Sequence, residues 1–218
     1  VNEEEFRRLP GAVAIHRAGQ ALMVGRVADT IRHARRALEL APEDDYLVRG
    51  GATTLVGLSY WTSGDLEAAG HLYADGMPLL QHAGNISDVI GCALALADIN
   101  IAQGRLRDAM RIYERALQLA ADRGTPTLRG TADMLVGMSE LYRERNDLQA
   151  ATLCLERSKA QGEHTGLPQS HYRWYAAMAG IRQAEGDLNG ALEQLNEAER
   201  LYMGDFSPNV RPIAARKA

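Results

Sequence analysis

The segment Trp61-Thr62-Ser63-Gly64-Asp65-Leu66-Glu67-Ala68-Ala69 decides the fold. It reads as a helix end, a tight turn and a new helix. Gly64 supplies the left-handed conformation that closes the first helix. Asp65 is placed to accept the orphan amide protons of the second. Leu66 and Ala69 then begin an apolar stripe at helical spacing. The same unit returns as Gly25-Arg26-Val27, Gly104-Arg105-Leu106, Asn146-Asp147-Leu148 and Gly186-Asp187-Leu188, at intervals of 39, 40, 42 and 40 residues. Self-similarity at a fixed period of this size marks a solenoid, whose repeats each bury a face on their neighbours.

Five repeats follow, over about 10–42, 46–84, 85–124, 125–166 and 167–204, with a partial sixth over 206–218. In repeat two, Val56, Gly57 and Tyr60, then Ala69 and Tyr73, match the tetratricopeptide spacing L-G-x2-Y…A-x3-F with Val for Leu and Tyr for Phe. Leu96, Ala97, Ala109 and Tyr113 occupy the same places in repeat three; Met138, Ser139, Tyr142, Ala151 and Leu155 in repeat four; Met178, Ala179, Ala191 and Leu195 in repeat five. Periods near 40 also suit HEAT and armadillo arrays, but the Gly-Asp turn favours tetratricopeptide-like units with longer helices. The expected fold is therefore an all-α, tetratricopeptide-like right-handed helical superhelix forming a single domain over 1–218.

Punctuation residues add local expectations. Pro10 suits the first turn of a helix, Pro42 stops one, and Thr125 with Pro126 opens another. Gly70, Gly76 and Pro78 fall inside one helix, where Pro78 lacks a donor and crowds the preceding turn. A kink or break is expected over 75–78.

The chain has 218 residues, 46% of them hydrophobic, and a formal net charge of −4. Lys appears only at positions 159 and 217, and the arginines alternate with acids rather than forming a basic run, which argues against a nucleic-acid face. No apolar run reaches membrane-span length, and residues 1–8 are mostly polar. Cys92 and Cys154 lie inside helical apolar patterns and read as small buried hydrophobes in a reducing cytoplasm. The histidines (His16, His33, His71, His82, His164, His171) show no zinc-binding spacing, and no nucleophile elbow is present. Neither catalysis nor a cofactor nor a metal is expected. The chain begins without Met and stops inside the repeat pattern, which reads as a piece excised from something longer.

The segments Arg32-His33-Ala34-Arg35-Arg36-Ala37-Leu38-Glu39-Leu40-Ala41-Pro42-Glu43-Asp44-Asp45, Gly64-Asp65-Leu66-Glu67-Ala68-Ala69 and Phe206-Ser207-Pro208-Asn209-Val210-Arg211-Pro212 resemble the sensor region of MalT-like, large ATP-binding LuxR-type transcriptional regulators. The resemblance covers essentially the whole chain. It implies a helical array that receives an inducer and controls self-association, between a nucleotide-binding module and a DNA-binding helix-turn-helix. The chain has no Gly-x4-Gly-Lys-Ser/Thr phosphate loop and no DNA-reading segment, so neither ATP hydrolysis nor direct nucleic-acid contact is carried over.

Tetratricopeptide arrays bind on the concave face lined by the first helix of each repeat. By that geometry, residues three before each turn (Leu22, Trp61, Ile101, Arg143, Gln183), six before (Gly19, Leu58, Asp98, Glu140, Gly180) and thirteen before (Ala12, Gly51, Gly91, Asp133, Arg173) point inward. The first two repeats are apolar there and the last three polar. Trp61, Asp98, Glu140, Arg143, Arg173 and Trp174 are the candidate ligand-binding residues, an aromatic face and charged groups suiting a small polar or amphiphilic ligand. The plainer reading is that Trp61 packs between helices and that Glu140 and Arg143 form an ion pair three residues apart. Three partners are therefore weighed: a small-molecule inducer coupled to homo-oligomerisation, a partner protein with no small ligand, and a peptide carboxylate, which the scarcity of Lys disfavours.

Seven residues before each turn stand Ala18, Gly57, Ala97, Ser139 and Ala179, and twelve after it stand Ala37, Gly76, Ala116, Ser158 and Ala198. Small side chains at matched points let paired helices approach closely. Ala97→Leu should overpack this contact and lower stability by about 1–3 kcal/mol in a denaturant melt; an unchanged midpoint would count against the repeat alignment.

Overall fold

The structure is a computed structural model describing residues 3–122, 128–161, 166–167, 169–202 and 213–217. It is all-α, with eleven helices and no strand among the described residues. Contacts divide the chain into two compact units. The first, over 1–103, holds α1 (Glu3–Met23), α2 (Val27–Leu40), α3 (Tyr46–Thr62), α4 (Leu66–His82) and α5 (Ile86–Ala102). The second, mainly over 104–218, holds α6 (Leu106–Asp122), α7 (Thr131–Glu144), α8 (Leu148–Ala160), α9 (Ser170–Ala184), α10 (Leu188–Arg200) and α11 (Ile213–Lys217).

The turns follow the sequence logic. Gly64 has φ +90° and Gly186 has φ +84°, and Asn146 takes the same left-handed conformation at φ 59°. Each turn closes with a pair of backbone hydrogen bonds. The Asp65 amide donates to the Tyr60 carbonyl at 3.0 Å and the Gly64 amide to that of Trp61 at 3.0 Å. The same pairing recurs from Asp147 to Tyr142 and from Asp187 to Arg182, at 2.9 Å each. This motif satisfies the carbonyls that a helix end leaves open. The next residue then starts the following helix: the Asp65, Asp147 and Asp187 carboxylates accept from the amides of Ala68, Ala150 and Gly190 at 3.0, 3.0 and 2.9 Å. One turn the spacing did not mark, Gly84 (φ +75°) with Asn85 capping α5 through the Asp88 amide, uses the same chemistry between α4 and α5.

All ten small residues at the matched points are buried. Between α3 and α4 the approach is closest. A Cβ on Gly50 would sit 2.9 Å from the Leu80 backbone nitrogen, and one on Gly76 2.6 Å from Thr54 Cγ2. Packing on α1, α2 and α3 is made largely by alanine: Ala14, Ala18, Ala34, Ala37, Ala41 and Ala52, with Val48 and Val56. In the second unit, Tyr172, Ala176, Ala179, Leu195, Ala198 and Ile213 form one cluster, and Val136, Ala151, Leu155, Ala177 and Ile181 another.

Two helix expectations are corrected. Pro10 lies inside α1, not in its first turn, because the helix begins at Glu3. Glu3, Glu4 and Glu5 complement the positive end of that helix, and Arg7 and Arg8 pair with Glu4 and with Asp44. Of the kink or break expected over 75–78, the break is absent: α4 runs through Pro78. Gly76 and Leu80, on either side of that proline, are clamped against Gly50 and Thr54 of α3, and this packing outweighs the lost backbone bond. The start expected at Thr125 and Pro126, and the segment 206–212, lie outside the described residues; α7 begins at Thr131, after Gly130 with φ +97°.

Cys92 and Cys154 are free and buried. Burial pushes the Cys92 thiol up to about 12, only partly offset by a hydrogen bond with Thr54, and it raises the Tyr73 phenol as well. The folded chain thus keeps both groups neutral where the unfolded chain ionises them. That contribution is full below the unfolded thiol value near 9 and is lost as pH climbs toward 12. Urea melts from pH 8 to 11 should show falling stability above about pH 9. Cys92→Ala should flatten part of that fall; an unaltered slope would place the ionisation elsewhere.

Candidate functional site

The six candidate residues fall in four places. In the first unit, Trp61 on α3 is 3% exposed and Asp98 on α5 is 5% exposed, so both side chains belong to the packed interior there. In the second unit, Glu140 and Arg143 lie one turn apart on α7. Glu140 accepts from Arg216 Nη2 of α11 at 2.7 Å. The same guanidinium donates through Nη1 to the Ala176 carbonyl of α9 at 3.0 Å. Arg143 forms an ion pair with Glu144 through Nη2, and its buried Nε has no hydrogen-bond partner. The stem of Arg143 crosses Gly180 so closely that a Cβ there would lie 2.9 Å from Nε.

Arg173 and Trp174 on α9 do not join this group. Arg173 approaches the Tyr172 hydroxyl at 3.5 Å, with its guanidinium 6.0 Å from the Tyr172 ring centre. Trp174 donates from Nε1 to the Leu155 carbonyl of α8 at 2.9 Å, stacks edge-on against Tyr175 and carries Lys159 over its ring at 5.6 Å. It lines a cleft of about 320 Å³ with Lys159, His171, Glu197 and Arg200. Within this cleft Glu197 is held below the usual carboxylate range by its hydrogen bonds to Arg200.

A second cleft, of about 420 Å³, opens where α7, α9, α10 and α11 meet. Arg143, Gly180 and Gln183 line it, and all three are among the positions that the repeat spacing directs inward. Arg216 and Lys217 complete its polar side, and Leu188, Leu192 and Leu195 of α10 its apolar side. Sequence reading missed the two α11 cations, because a five-residue helix carries too little periodicity to reveal its face. The one available signal was Lys217 itself, one of two lysines in the chain.

Among the described residues, no three His, Cys, Asp or Glu side chains are grouped to hold a metal ion. No helix among them is long and apolar enough to cross a membrane.

One family model, described as the MalT-like TPR region, matches residues 11–218. The chain belongs to that family. No curated protein matches the MalT-like region described here. Solved structures similar to it include BtubC (BKLC) from P. vanneervenii, at 16% identity over 94% of this chain and 95% of that one, with a TM-score of 0.64. A kinesin light chain protein of Podosopora anserina with nearly identical TPR-like repeats shows 16% identity over 88% and 95%, with a TM-score of 0.61. MamA from Desulfovibrio magneticus RS-1 shows 11% identity over 88% and 94%, with a TM-score of 0.59. At these identities the likeness is one of fold, and it is to tetratricopeptide-like repeat proteins.

In the MalT-like region the Arg216–Glu140 bridge ties α11 to α7 across a nearly buried carboxylate, 10% exposed. Arg216→Ala should remove both this pair and the bond to Ala176, lowering stability by about 1–3 kcal/mol. Chemical denaturation followed by circular dichroism measures it; a change below about 0.5 kcal/mol would show that the bridge is only superficial.

Proposed function

We propose that this MalT-like region is the effector-sensing and protein-interaction segment of a LuxR-type transcriptional regulator. It binds a small inducer through inward-facing positions of its repeats and passes that state to self-association. The fold is of a scaffold type, and its chemistry is recognition. The observation that carries the reading is the convergence of Arg143, Gly180 and Gln183, three positions set by the repeat spacing, on one cleft of about 420 Å³. That volume lies within the ordinary range for small-molecule sites, and the lining combines apolar walls with a few polar groups, as such sites do. Glu140 belongs to the site by holding Arg216 in place. Arg173 and Trp174, elsewhere on α9, remain in the proposal as residues whose replacement tests how far the ligand-responsive surface extends within the second unit, and Trp61 and Asp98 as residues whose replacement tests a separate response in the first. DNA contact and nucleotide hydrolysis belong to other modules of such a regulator, and a cytoplasmic location accords with that role.

A second reading, a docking scaffold for a partner protein with no small ligand, draws on Phe6, Leu9 and Val13, exposed along one side of α1.

A thermal-shift panel of sugars, amino acids, nucleotides and small organic acids separates the two. A ligand at about 100 times its Kd adds roughly 2.7 kcal/mol. At about 2–4 °C per kcal/mol, that is a shift of several degrees. A saturable shift lost in Arg143→Gln, with a ligand-dependent change in mass by light scattering, is expected. A flat response across the panel from well-folded protein would favour the partner-protein reading.

A further inference from the structure

The cleft between α7, α9, α10 and α11 has a charge arrangement that its partners do not explain. Three cations line it: Arg143, Arg216 and Lys217. Each is paired with a carboxylate: Arg143 with Glu144, Arg216 with Glu140, and Lys217 with Glu199 at 2.6 Å. The pairs differ in depth. Arg143 and Lys217 have side chains 26% and 24% exposed, whereas their acids, Glu144 and Glu199, are 49% and 61% exposed. The cations sit inside and the acids on the rim. Glu140 is the exception; it is nearly buried and fixes Arg216 from below. Exposed ion pairs of the first kind are worth little and are readily exchanged. Arg143 meets Glu144 through Nη2 alone, since its Nε is buried against Gly180 without a partner.

The opposite wall is apolar for its own reason. Leu188, Leu192 and Leu195 recur at helical spacing on α10, and Leu188 and Leu192 are 66% and 48% exposed. Large apolar side chains left open beside a cationic group describe a ligand with two ends.

We propose that this cleft binds a compact organic acid with an apolar body. Its carboxylate displaces Glu144 and Glu199 from Arg143 and Lys217, and its body covers Leu188 and Leu192. Arg216, held by Glu140 and the Ala176 carbonyl, keeps α11 docked beside the ligand. This inference rests on the sensing role proposed above and names the class of ligand it takes.

The test uses the whole chain and hexanoate as the probe, with hexanamide as its uncharged counterpart, read by calorimetry at low and high salt. Hexanoate should bind saturably and hexanamide at least tenfold more weakly. Arg143→Gln and Lys217→Gln should each weaken hexanoate about tenfold. Glu199→Gln, which frees Lys217 without touching the cleft wall, should strengthen it. Leu192→Asp should abolish it, with circular dichroism confirming that each variant is folded. Equal binding of hexanoate and hexanamide, or no effect of Glu199→Gln, would overturn the proposal. So would tighter binding of an acetylated pentapeptide ending in leucine than of acetyl-leucine, since that would make the occupant a protein chain end. A neutral ligand from the thermal-shift panel whose response depends on Arg143 would also overturn the acid while leaving the sensing role standing.

Discussion

Packed helices in this chain approach most closely where one of them presents almost no side chain. Everything else in this chain depends on that contact. Gly50 and Gly76 bring α3 and α4 to within the distance at which a methyl group would strike backbone atoms. On α7, Gly137 faces the Tyr113 ring of α6 so closely that a Cβ would lie 2.5 Å from the phenol. Alanine and serine do the same work elsewhere. These close contacts work together with large buried side chains such as Trp61, Tyr73, Tyr113 and Tyr172, so stability rests on both. The close approach also explains how α4 tolerates a proline: the face that packs is the face with Gly76 and Leu80, and it keeps the helix continuous through the missing bond.

The repeat turns were legible because their chemistry is local. A residue with positive φ followed by a capping acid and a new apolar stripe leaves a mark in sequence at Gly64, Asn146 and Gly186, and Asn146 in place of glycine does not hide it. The limits of α1 and α4 were not legible from Pro10 and Pro78 alone, because charge pairing with Asp44 in one case and packing on α3 in the other come from residues distant in sequence. The candidate site divides in the same way. Arg143, Gly180 and Gln183 reach a common cleft because repeat spacing fixes where they point. Repeat spacing directed Trp61 inward as it did Arg143, yet its indole is enclosed by packing, while Trp174, chosen for residue type, is anchored to the Leu155 carbonyl. Arg216 bonds to groups 40 and 76 residues earlier, a pairing that no local pattern announces.

The electrostatics of the second unit follow from how much of each charge is covered. A paired surface charge is nearly neutral in its effect on stability, but a pair whose acid is exposed and whose base is recessed can exchange partners at small cost. Arg143 and Lys217 are of this type, whereas Arg216 is fixed by a nearly buried acid. One cluster thus contains both a permanent tie and two exchangeable ones, which is a natural division of labour for a surface that must hold its shape and still respond.

The two cysteines add a practical property. Each compact unit contains one, Cys92 in the first and Cys154 in the second, and both are buried and unpaired. A thiol that meets reagent only when its surroundings open is a clock for that opening. The chain therefore carries an intrinsic reporter in each half. Parallel trapping of the two thiols, residue by residue under native conditions, would show whether the halves breathe together or in turn.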